Sequence, residues 1–118
     1  VTAAAALLVD DGYEPLILKL KKENNHIGHA IYLFQDKKSG KWGAIGKYAV
    51  RPDQKSPEEV AQRFNELYCS GLIKKPFTHY GIANYDSICS REQWTNGDVD
   101  LQKLFKGKIE HKRIGEKN

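Results

Sequence analysis

The chain has 118 residues with 19 lysine or arginine and 15 aspartate or glutamate, a formal net charge of +4. That length suits one domain with a modest core, and no apolar run is long enough to cross a bilayer. Two cysteines, Cys69 and Cys89, exclude a disulfide scaffold and a Cys-x-x-Cys metal knuckle, so a reducing, cytoplasmic setting is expected.

Methionine is absent, even at position 1, so the chain is expected to be processed or a piece of a longer one. Thr2 to Asp11 reads as the end of a helix: alanine and leucine favour helix, and Gly12 is a natural stop. Ala3 to Val9 is apolar but short and has no basic segment before it, unlike a signal peptide. Pro15 to Leu20 alternates, with Leu16, Leu18 and Leu20 on one face of a strand. A polar loop, Lys21 to Asn25, leads to a second strand, His29 to Gln35, and Lys41 to Lys47 is the third. The connection Asp36 to Gly40 is short and contains glycine, as a hairpin loop does. Pairing Gln35 with Lys41 puts Phe34 opposite Trp42 and His29 opposite Lys47; a one-residue bulge puts Gly46 opposite His29 instead.

Arg51 to Lys55 reads as a loop. Ser56-Pro57-Glu58-Glu59 is a helix start, with a serine cap, proline at the first position and glutamate three after the cap. Val60, Phe64, Leu67 and Tyr68 then share a helical face, and Ser70-Gly71 ends it. A short strand is expected near Gly81 to Ile88, a short helix over Asn96 to Lys106, and a last strand over Ile109 to Ile114.

The lysines are scattered, with no arginine-rich stripe interleaved with aromatics, so a nucleic-acid partner is not expected. His26 and His29 are too few to hold a metal by themselves, and His79 and His111 lie far away in sequence. Cys69 and Cys89 read as small buried hydrophobes, since a nucleophilic cysteine favours a helix N-terminus. Trp42 and Trp94 read as core or core-edge residues.

The alanine-rich helix, glycine, leucine-rich strand, polar loop, His-x-x-x-x-Phe (His29 to Phe34) and Trp-Gly-x-Ile-x-Lys (Trp42 to Lys47) together resemble an uncharacterised branch of the transglutaminase-like superfamily, within the papain-like cysteine-peptidase fold. The likeness extends through Leu67-Tyr68, Tyr80 to Asp86 and Trp94, nearly the whole chain. It implies an α+β fold whose antiparallel sheet packs on an N-terminal helix, incomplete at the N-terminus, in a single domain over 1–118. It implies thiol-dependent hydrolysis or acyl transfer at an amide bond of a peptide or protein substrate, with no cofactor or metal. The thiolate attacks the carbonyl and a histidine activates it, then protonates the leaving group.

His29 takes the histidine position. The nucleophilic cysteine falls ahead of Val1, so the 118 residues alone are expected to be inactive. The orienting aspartate falls at Gly46, which has no side chain to orient an imidazole, and Lys47 beside it cannot accept a hydrogen bond when charged. Asn25 and Gly28 in the loop before His29, together with Trp42 and Lys47, are expected to line the substrate cleft, Trp42 also as an aromatic shield for the imidazole. A structural histidine is the competing reading of His29. A non-catalytic peptide- or protein-binding module on the same fold is the alternative for the whole chain.

Overall fold

A computed structural model describes residues 10–22, 28–46, 48–69, 76–84, 92 and 110–115. They form an α+β domain: a six-stranded antiparallel sheet with one described helix on it. The strands are β1 (Leu16–Lys21), β2 (His29–Gln35), β3 (Trp42–Ile45), β4 (Val50–Gln54), β5 (His79–Asn84) and β6 (His111–Arg113), and the helix is α1 (Pro57–Cys69). The spatial order is β4-β3-β2-β1-β5-β6, with every pairing antiparallel. Among the described residues no helix is long and apolar enough to cross a membrane.

Alternation builds the core. Leu18, Leu20, Ile31, Leu33, Ala44 and Val50 project from one face of the sheet and pack with Val60, Ala61 and Phe64 of α1 and with Phe77. Burying each large apolar side chain contributes about 1.5–3 kcal/mol. The helix start forms as its residues dictate. Ser56 Oγ accepts from Glu59 N at 3.3 Å, while the Glu59 carboxylate reaches back to Lys55 N at 2.6 Å, a reciprocal satisfaction of end groups.

The expected packing on an N-terminal helix falls largely outside the described residues. Within them, Asp10 is helical and Gly12 has a φ of +88°, the left-handed geometry that ends a helix and favours glycine. The helix seen against the sheet is α1.

Three expectations are corrected. Residues 51–54 are not loop but belong to β4, which among the described residues pairs with β3 alone, through Trp42↔Gln54 and Ala44↔Val50 with a bulge between. A bulged edge strand tolerates Pro52. Gly43 lets this bulged edge close in, since a Cβ there would stand 2.8 Å from both Pro52 N and Val50 O.

The hairpin register is shifted by one. Gln35 pairs with Trp42 and Phe34 with Gly43, so Phe34 and Trp42 are not cross-strand partners. The loop is one residue longer than expected. Asp36 N donates to Lys41 O at 2.7 Å and Gly40 N to Asp36 O at 2.8 Å, with Gly40 at φ +72°. Asp36 Oδ2 accepts from Ser39 N and Ser39 Oγ at 2.9 and 2.8 Å. These bonds hold its carboxyl below the usual range, the backbone N–H of Ser39 most of all.

Third, Cys69 is only half-buried. The expected strand near Gly81 begins earlier, at His79, and the last strand is the shorter His111–Arg113. The expected helix over 96–106, Cys89 and Trp94 lie outside the described residues.

Candidate functional site

His29 opens β2 opposite Leu20 of β1, on the face that α1 covers. Its imidazole lies against two phenyl rings. The Phe64 centroid is 5.5 Å away with planes at 24°, and the Phe77 centroid is 6.3 Å away at 27°. The residue is half-buried, and its Nε2 is fully buried.

The rings around it form a continuous cluster. Tyr68 meets Phe77 at 4.8 Å and Phe64 at 6.2 Å, and Tyr48 meets Phe64 edge-on at 5.9 Å. Lys22 Nζ caps the cluster, 5.7 Å from the centroids of Tyr68 and Phe77, an arrangement that draws on the negative ring faces. Phe77 is fixed from α1. Asn65 Nδ2 donates to Phe77 O and Asn65 Oδ1 accepts from Phe77 N, both at 2.9 Å.

Gly28 touches the site through its backbone. A Cβ there would run into Leu20 O and stand 3.3 Å from Lys19 Cε, so glycine lets β2 enter the sheet beside β1. Gly46, where the resemblance implies an aspartate, lies against Ile31. A Cβ at 46 would overlap Ile31 Cγ2 and stand 3.0 Å from Ile31 Cβ. Ile31 therefore occupies the space that a side chain at 46 would need.

Trp42 is not brought to His29. It pairs with Gln35, six residues along β2 from His29, or about 20 Å at strand rise. There it lines a cleft of about 210 Å³ with Tyr13, Glu14, Leu16, Phe34 and Lys37. Lys37 Nζ sits 4.9 Å from the Tyr13 ring centroid and donates to Asp11 O at 2.5 Å. Asn25 and Lys47, like His26, lie outside the described residues.

Cys69 is a free thiol at the last residue of α1, the helix end whose dipole disfavours a thiolate. No group of three or more potential metal ligands occurs among the described residues. The aromatic cover over His29 comes from Phe64 and Phe77, which sequence reasoning did not place there. Phe64 was visible as part of an apolar helix face, but nothing in that periodicity told that the face lay over His29. Phe77 has no periodic neighbours to announce it.

No protein-family profile matches the chain, and no curated protein matches it significantly.

Proposed function

We propose that the chain carries the histidine-bearing part of a transglutaminase-like, papain-like thiol hydrolase or acyl transferase acting on amide bonds, with His29 as its acid–base residue. The observation that carries this reading is the setting of His29. An imidazole on a central strand, with phenyl rings over its plane and one nitrogen buried, is fixed in orientation and shielded from bulk water on that side. Acid–base catalysis requires such positioning. The thiol would come from a cysteine ahead of Val1, where the resemblance places it, and the His29 imidazole would take its proton and return it to the leaving amine.

The test uses the native protein with whatever sequence precedes Val1. His29→Phe keeps an aromatic ring against Phe64 and Phe77 while removing the base. Thiol-dependent cleavage of amide or ester substrates is expected to fall about 10²–10⁴-fold with the thermal midpoint little changed. Unaltered activity in His29→Phe would overturn the assignment.

One observation favours a second reading. Ile31 closes the space beside Gly46, so no carboxylate from that position can orient the imidazole. A non-catalytic peptide- or protein-binding module on the same fold is consistent with that closure, and absence of any iodoacetamide-sensitive activity in the native protein would favour it.

A further inference from the structure

The His29 reading leaves unused the cleft at the far end of β2, where the segment leading into β1 meets the β2–β3 hairpin. The cleft measures about 210 Å³ and takes in Tyr13, Phe34 and Trp42. Phe34 pairs with Gly43 and Gln35 with Trp42, so Phe34 and Trp42 belong to opposite faces of the sheet. Both line the cleft because it lies across the sheet's end. All three aromatic residues are half-buried. Tyr13 stands edge-on to Phe34, centroids 6.2 Å apart and planes at 86°. Perpendicular rings form adjacent walls, whereas a parallel stack would hide a face of each.

The chain itself shows what such walls attract. Lys37 Nζ lies 4.9 Å from the Tyr13 centroid, inside the distance of about 6 Å at which a ring face draws a positive charge. Lys37 is exposed on the hairpin loop and is held there by one hydrogen bond, to Asp11 O. It is a tethered occupant on a flexible stem, open to displacement. Glu14 adds an exposed carboxylate to the lining. The salt bridge among the described residues joins Arg63 to Glu66, so Lys37 is spent on a carbonyl and a ring rather than on Glu14. Ring faces beside an unengaged carboxylate suit an organic cation. A primary ammonium is strongly hydrated. A methylated one has few or no N–H groups to satisfy, and aromatic faces are its favoured partners.

We propose that Tyr13, Phe34 and Trp42, with Glu14 as counter-charge, form a binding site for a methylated ammonium group, free or carried on a lysine side chain. The site stands at the opposite end of β2 from His29, so it holds or fails independently of the catalytic reading.

The test is calorimetric titration of the protein with choline and with the blocked amino acid N-acetyl-trimethyllysine methylamide. Neohexyl alcohol, the uncharged carbon isostere of choline, is the control probe. Binding of either cation supports the site, and a tighter trimethyllysine probe identifies the side chain as the source. The isostere is expected to bind about threefold or more weaker than choline. Trp42→Leu is expected to weaken choline about threefold or more. Glu14→Gln, a change at an exposed position that leaves the fold intact, is expected to weaken it about twofold. Lys37→Met removes the tethered competitor and its charge, and is expected to tighten choline about twofold or more. Equal binding of the isostere would overturn the proposal, because the cleft would then be merely apolar. Weaker choline binding in Lys37→Met would overturn it too, as would unchanged binding in both Trp42→Leu and Glu14→Gln. So would failure of both cations to bind at up to about 10 mM.

Discussion

Gly46→Ala tests the closed space beside the histidine strand. The new Cβ would overlap Ile31 Cγ2 and stand 3.0 Å from Ile31 Cβ. Ile31 is fully buried and paired with Leu18 on the central strand, so its methyl has no solvent to swing into. Overpacking of this kind costs about 1–3 kcal/mol. The positive φ values among the described glycines belong to Gly12, Gly40 and Gly115, so alanine at 46 meets no backbone strain. It also restricts the unfolded chain, which offsets about 0.4–1 kcal/mol. The net expectation is a loss of up to about 2.5 kcal/mol. Ile31→Ala alone is expected to cost about 2–5 kcal/mol by leaving a cavity. In the double variant the two alanines share the space, so the cost falls below the sum by about 1 kcal/mol or more. Urea denaturation measures all three as shifts in midpoint at constant slope. Strict additivity, or a stabilised Gly46→Ala, would refute the contact and with it the claim that position 46 is closed to a carboxylate.

Asn65→Ala removes both bonds that hold the Phe77 backbone and is expected to cost about 1–3 kcal/mol in the same assay, with Asn65→Asp recovering at most the accepting half. The Tyr32 phenol is buried, and burial, followed by the charges of Tyr13 and Glu14, pushes its pKa up to about 12. Because this folded value lies above the ordinary 10.0, its contribution is complete below pH 10 and lost as pH rises towards about 12. Tyr32→Phe is expected to reduce that alkaline loss, read as thermal midpoint against pH. Lys19 shows the converse. Its pKa is lowered from 10.5, so the unfolded chain holds more protons than the fold and stability rises with pH towards 10.5. Lys19→Met is expected to stabilise the protein below the folded pKa, with the gain shrinking as pH approaches 10.5.

Much of the scaffold was legible because local rules and tertiary context agree. Leu16, Leu18 and Leu20 alternate as a strand must, the second strand runs from His29 to Gln35, and the Ser56 cap sets the helix start. The misreadings came where context overrides local rules. Pro52 argues against a strand until the strand is known to be an edge. The hairpin register depended on one extra loop residue, Lys41, closing on Asp36. Lys19, flanked by Leu18 and Leu20, reads as an outward-facing position, yet it is 2 % exposed. β1 is a central strand, and Ile17 and Tyr32 on the Lys19 face are buried too. Of the candidate site, His29 and Gly28 fall together because they are neighbours in sequence. Trp42 falls elsewhere because nearness in sequence does not fix distance along a strand.

The most direct measurement of the central proposal is peptide mapping of the native protein after reaction with a thiol-directed, substrate-like electrophile. One labelled cysteine is expected, distinct from Cys69 and Cys89, whose labelling is much slower in His29→Phe than in wild type. Labelling on Cys69 or Cys89, or labelling at an unchanged rate in His29→Phe, would contradict it.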